Sequence, residues 1–433
     1  MTRAPTPLLS SALPIAAAIV TMLWIAGPVS AQQSPRARDL GVSIEGTPGT
    51  WNAITDVEGV EVGHVTLIEG EGKLVVGEGP VRTGVTAILP RGKEDMTPVF
   101  AGHFSLNGNG EMTGTVWLDE TGELLGPVTI TSTSTVGVVR DAAYSWIAER
   151  MPELPFSLPV TAETLDFPLN DVNGQHVTRE HALAALAEAS SGPVAEGNVG
   201  GGTGMICHWF KGGIGTASRV VPQNRGGWTV GALVQCNYGS RSRLRIDGVP
   251  VGREIPDLTP CRGMPADSIS PLLRGVPACP DQVGQASGAD SPESLIQLEA
   301  RFAGTPLDPG AGSIIVVVAT DAPLLPSQLQ RVAKRVSLAI GRMGGLGENS
   351  SGDIFLAFST ARTETDDAGV WKLDAVSSDW MNPIFEATVQ AVEEAIVNAL
   401  VAAETMTGAD GFRVYELPED RLREVMSEQG KSE

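Results

Sequence analysis

Ser313-Ile314-Ile315-Val316-Val317-Val318-Ala319-Thr320 is the most β-prone run in the chain, and it reads as a buried central strand. A helix follows it with Leu329, Val332, Val336, Ile340 and Met343 on one face. Next comes a second strand, Asp353-Ile354-Phe355-Leu356-Ala357-Phe358-Ser359-Thr360, and then a long helix carrying Phe385, Val389, Val392, Ile396, Ala399 and Ala403 at the same spacing. Upstream, Trp228 to Asn237 reads as another buried strand, ending at an amide side chain. From Ile44 to Val136 short strands alternate with turns, among them Gly84 to Pro90 and Val128 to Thr133. Helical spacing appears at Val138 to Met151 and again from His181 to Ser190, opened by Thr178-Arg179-Glu180. These elements describe sheets with helices on their faces, joined as one α+β core. No composition break divides it and no internal repeat appears.

Composition narrows the functional classes. The 433 residues are 42% hydrophobic and 19% charged, enough apolar surface to bury a sizeable core and to exclude wholesale disorder. A formal net charge of −21, with no cluster of Lys and Arg, excludes a polyanion partner such as nucleic acid. The 51 Gly and 30 Pro point to many tight turns and exclude an all-helical bundle.

Residues 1–31 carry one charge, Arg3, before the apolar run Leu13 to Ala26 and the small residues Val29-Ser30-Ala31. That is the pattern of a cleaved signal peptide, in preference to a membrane anchor, because the apolar stretch is short for a ~20-residue span. The mature chain, 32–433, is then periplasmic or secreted, with no further membrane segment. Export gives the cysteines meaning. Cys207 and Cys236 lie in apolar, strand-like runs and read as buried thiols. Cys261 and Cys279 flank a Pro- and Gly-rich stretch and can either close a loop disulfide or stay reduced. No cysteine or histidine spacing matches a metal site, and no cofactor is implied.

Two stretches break the regular pattern. Glu196 to Met205 is dense in glycine but lacks the Lys-Ser/Thr ending of a phosphate-binding loop, so close backbone packing is the expectation. Residues 254–312 form a long, turn-rich insertion with one helical pattern, Pro292 to Phe302.

From position alone, Ser313 simply starts a strand. Chemically it can do more: its hydroxyl can attack the Gly312 carbonyl, and the α-amine freed by that cleavage, with a reference pKa of ~7.7–8.0, can serve as base to the same hydroxyl. Glycine at 312 suits such a junction through its tolerance of strained angles. Ser351 and Asp353 are two apart in Asn349-Ser350-Ser351-Gly352-Asp353, so they can share one side of an extended segment. Asn237 ends its strand where an amide can donate to an oxyanion.

These residues resemble the L-aminopeptidase/D-esterase family, which includes the β-peptidyl aminopeptidases. The similarity is carried by Gly312 to Leu324, Ser350-Ser351-Gly352-Asp353-Ile354-Phe355 and Ala357-Phe358-Ser359-Thr360. It continues upstream through Thr83 to Arg91, Asn107-Gly108-Asn109-Gly110-Glu111, Glu196 to Gly204 and Lys211-Gly212-Gly213. The resemblance implies an αββα sandwich and a precursor that cuts itself into chains 32–312 and 313–433. It further implies a homotetramer of these αβ units, acting on small peptide, amide or ester substrates. Ser313 would be the nucleophile, Ser351 and Asp353 would orient its amine and hydroxyl, and Asn237 would hold the oxyanion. Two departures stand out: Asp353 where a Glu is common, which is expected to lengthen the contact to Ser351, and Leu165 after Ala162-Glu163-Thr164 where a Tyr is common. An autoprocessed acyltransferase and a non-catalytic exported binding protein of the same fold remain as alternatives.

Overall fold

A computed structural model describes residues 1–2, 35–281, 294–362 and 364–430. The leader, apart from its first two residues, lies outside the described residues. Contacts divide the chain into Met1–Ser34 and Pro35–Glu433, and all that follows concerns the second unit.

In chain order the strands are β1 (Glu61–Glu69), β2 (Val81–Leu89), β3 (Val99–Ser105), β4 (Glu123–Leu124), β5 (Val128–Ser132), β6 (Val160–Thr164), β7 (Ile206–Cys207), β8 (Phe210–Lys211), β9 (Gly213–Val220), β10 (Thr229–Asn237), β11 (Cys261–Arg262), β12 (Ser313–Thr320) and β13 (Ile354–Ser359). Two short pairs follow, β14 (Glu364–Thr365) with β15 (Trp371–Lys372), and β16 (Met406–Thr407) with β17 (Phe412–Val414). The helices are α1 (Thr115–Thr121), α2 (Val136–Arg150), α3 (Arg179–Glu188), α4 (Val251–Glu254), α5 (Leu295–Phe302), α6 (Pro326–Arg342), α7 (Asn382–Val401) and α8 (Glu419–Gln429).

Two sheets dominate, a four-stranded one ordered β1-β2-β5-β6 and a six-stranded one ordered β4-β3-β13-β12-β10-β9. All eight residues of β12 are buried, and its period of two explains why. Ile315, Val317 and Ala319 meet Leu233, Leu356, Phe358, Ile130 and Ala162 in the core between the sheets. Ile314, Val316 and Val318 face the other way, against Leu329, Val332 and Val336 of α6 and Val392, Ile396 and Ala399 of α7. On the far side, α2 and α3 cover Val85, Ala87 and Leu89 of β2 through Val139, Ala142, Ile147, Ala185 and Leu186. The layers run helix, sheet, sheet, helix, so the expected αββα sandwich is the observed one.

The glycine-dense segment packs backbone against backbone. A Cβ at Gly201 or Gly204 would collide with the Gln235 side chain or the Arg82 carbonyl. The amides of Gly200 and Gly201 are taken up by Thr66 Oγ1 at 2.8 Å and Thr86 Oγ1 at 3.1 Å, so they do not form an open phosphate cradle.

Two expectations need correction. Cys207 and Cys236 are not thiols but a disulfide, formed because β7 lies against the end of β10 and brings the Cα atoms to 5.5 Å. Cys261 and Cys279 form the second disulfide. The stretch 254–312 is also more than a loop. Within it Ile269, Leu273, Val276, Leu298 and Phe302 are buried with Leu169, Trp209, Met406, Phe412 and Val414 in a separate apolar cluster. β11 pairs with β17, joining the insertion to the C-terminal part of the chain.

Candidate active site

Ser313 opens β12 directly across from Asn237, the last residue of β10. Both residues have the parity of the side chains that face the second sheet, so hydroxyl and amide emerge on one side at the end of the inter-sheet core. β13 runs parallel to β12, which sets the segment before β13 beside Gly312 and Ser313. Gly312 and Ser351 form a bridge there, and the Gly352 N–H donates to the Gly312 carbonyl at 3.0 Å. The same N–H lies 3.2 Å from Ser313 Oγ, and that hydroxyl donates to the Gly312 carbonyl at 2.6 Å.

Gly312 is needed for a reason other than the strained angles expected of it. Its φ is not in the left-handed region, and a Cβ there would strike the Asn237 carbonyl. Glycine is required for close approach to β10.

Ser351 donates to Asp353 Oδ1 at 2.6 Å, so the shorter carboxylate does not lengthen this contact. Asn107 explains how. Its Nδ2 donates to Asp353 Oδ2 at 2.9 Å and its Oδ1 accepts the Asp353 N–H at 2.6 Å, fixing main chain and side chain together. Asn109 holds the same segment, donating from Nδ2 to the Ser350 carbonyl at 2.8 Å. Burial pushes the Asp353 carboxyl above the ordinary carboxylate range, against hydrogen bonds from Ser351 and Asn107 that pull it back. Sequence reasoning noted the Asn107 to Glu111 motif but gave it no role; a pair of asparagines set among glycines was the available signal.

Asn237 is anchored at both ends of its amide. Oδ1 accepts the Ile206 N–H at 2.8 Å, and Nδ2 donates to the Leu165 carbonyl at 2.9 Å. One amide hydrogen stays uncommitted by these bonds. Leu165 therefore orients Asn237 through its main chain, while its side chain lines the cavity.

That cavity, of about 410 Å³, holds Ser313, Asn237, Thr133 and Glu163 together with residues of the insertion. Glu163 went unassigned in the sequence. Burial raises its pKa; its partners are the Glu111 N–H at 2.8 Å and the Thr133 hydroxyl, both neutral donors. Among the described residues no three His, Cys, Asp or Glu side chains converge as metal ligands would. No described helix is long and apolar enough to cross a membrane.

Two face-to-face sheets between helix layers, with a serine opening a central strand over a cavity, define an αββα fold with a candidate nucleophile at its cavity. Residues 52–414 match peptidase family S58, and the chain belongs to that family. It is 52% identical over 412 residues to the β-peptidyl aminopeptidase BapA of Sphingosinicella microcystinivorans, covering 94% of this chain and 96% of the relative. Among solved structures, a β-aminopeptidase of Burkholderia sp. shares 45% identity at a TM-score of 0.73, over 92% of this chain and 99% of the other. The L-aminopeptidase D-Ala-esterase/amidase of Ochrobactrum anthropi, described as a prototype serine aminopeptidase with a variant of the Ntn hydrolase fold, shares 42% at a TM-score of 0.76 with the same coverage.

Proposed function

We propose that the chain is an exported, self-processing aminopeptidase whose nucleophile is Ser313, exposed as a new N-terminus by cleavage after Gly312. The observation that carries this reading is the set of contacts at one carbonyl: the Ser313 hydroxyl and the Gly352 N–H both donate to Gly312 O. In processing, Ser313 Oγ attacks the Gly312 carbon, the Gly352 N–H supports the developing oxyanion, and the Gly312–Ser313 C–N bond breaks as its nitrogen takes the proton that Oγ gives up. Water then hydrolyses the resulting ester, leaving a Gly312 carboxylate and a free Ser313 amine and hydroxyl.

In turnover the amine removes the hydroxyl proton as Oγ attacks the substrate carbonyl. The uncommitted Asn237 N–H faces the oxyanion, the proton passes to the leaving amine, and water releases the acyl group from Ser313. Ser351 and Asp353 hold the nucleophile's surroundings in place. Glu163, a cavity carboxylate with only neutral hydrogen-bond donors, is suited to the substrate's ammonium, which gives the aminopeptidase preference a physical basis.

A panel of α- and β-aminoacyl p-nitroanilides, with and without acceptor amines, tests the activity. Hydrolysis without an acceptor is expected; transfer alone would favour the acyltransferase, and no turnover by processed protein would favour the binding protein. Two disulfides and the leader pattern support a periplasmic or secreted location. The tetramer of αβ units is proposed from the family resemblance and is open to light scattering.

The amine base gives a pH prediction. With chemistry rate-limiting, kcat/KM rises with pH through the amine's pKa, since only the neutral amine accepts a proton. A nearby Asp353 carboxylate raises that pKa by favouring the ammonium, and burial lowers it. Asp353→Asn should therefore move the rise to lower pH. A rate independent of pH from about 5 to 9 would contradict an amine base.

A further inference from the structure

We infer that the insertion determines substrate choice: α5, through Leu298 and Phe302, selects an N-terminal residue with a large apolar side chain, aromatic or branched aliphatic. This rests on the aminopeptidase reading and says which acyl groups that site prefers.

The cavity that holds Ser313 and Asn237 is lined on its apolar part by Leu298 and Phe302 of α5, Val276, Trp209 and Phe412. Among the described residues, its ionisable lining is Glu163 and Asp308, with no Lys or Arg. Asp308 lies in the Thr305–Gly312 tail, which gains a free end when the chain is cut after Gly312. Glu163, at β6, lies outside that tail and is matched to the substrate's ammonium. A charged or strongly polar side chain placed against Phe302 and Leu298 would lose its hydration with no partner in return. An apolar one gains from burial in proportion to its area. The volume of about 410 Å³ leaves room for an aromatic ring beside the amino and carbonyl groups.

The wall does not depend on the uncut junction. Phe302 meets Trp209 edge to face, with ring centroids 5.9 Å apart. Glu299 of α5 accepts the Ser242 N–H at 3.0 Å and the Ser242 hydroxyl at 2.5 Å. The Val276 segment is held by Arg262 Nε donating to the Val276 carbonyl at 2.9 Å and by the Cys261–Cys279 disulfide. All of these contacts precede residue 303, so cleavage at 312 leaves them, and α5, in place.

The test compares kcat/KM of the processed enzyme on phenylalanyl and alanyl p-nitroanilides, and on their β-homologues. The wild-type enzyme is expected to favour the phenyl side chain by ~10-fold or more within one of these matched pairs. Phe302→Ala should lower that ratio by ~10-fold while leaving the alanyl value within about threefold and self-cleavage intact. If Phe302→Ala yields no processed protein, Leu298→Ala carries the same expectation in direction. A preference for small or charged side chains, or a ratio unchanged in a processed variant, would overturn the inference. Absence of hydrolysis on every substrate would overturn the aminopeptidase reading itself, and the inference with it.

Discussion

Ser313→Ala is expected to purify as a single uncut chain with hydrolysis reduced to background, a loss on the order of 10⁶ where turnover is measurable, as for removal of a nucleophile that acts as a unit with its base. The effect is large because one oxygen performs two reactions. Without Oγ nothing attacks the Gly312 carbonyl, and without cleavage there is no α-amine to act as base. The fold should survive, since the change removes one hydroxyl from a 5%-exposed residue at a strand end and leaves the β10–β12 ladder intact. Gel electrophoresis and a p-nitroanilide assay read both outcomes. A variant still cut between 312 and 313 would mean that another group performs the cleavage.

Asn237→Ala carries the second large effect: kcat should fall by at least ~10² while KM changes little, because the amide's free N–H strengthens its bond as charge develops on the substrate oxygen. The substitution also leaves the Ile206 N–H without its acceptor, at a cost of about 1–3 kcal/mol in stability. Asn237→Asp separates the two effects. It retains an acceptor for Ile206 and loses the donor, so a folded Asn237→Asp enzyme with the same fall in kcat assigns the loss to the oxyanion. Unchanged kcat in both variants would move that role to a backbone amide.

The sequence showed the layers because the apolar pattern already contains them. A run such as Ile314 to Ala319 has no polar position, as a strand covered on both faces requires, and α6 shows its buried stripe at helical spacing. The Ser351–Asp353 contact was legible because two residues on an extended segment share a side. What escaped depends on distant pairings that leave no local trace. Cys207 and Cys236 are 29 residues apart in apolar runs that look alike whether bridged or not. The hold of Asn107 on Asp353 spans 246 residues and joins two loops. Residues 254–312 looked irregular because their apolar residues pack against Trp209, Met406 and Phe412 rather than against a regular partner within the same segment. Gly312 was noticed for its conformational freedom, whereas the close approach to β10 that excludes a side chain appears only once the strands are paired.

The central claim is that this chain cuts itself and that Ser313 becomes its working N-terminus. Intact-mass measurement of the purified wild-type protein, with N-terminal sequencing of each component, tests it most directly. The account predicts two associated chains, one ending at Gly312 and one spanning 313–433 with serine first. A single chain in a protein that is fully active, or a second chain beginning at any other residue, would contradict it.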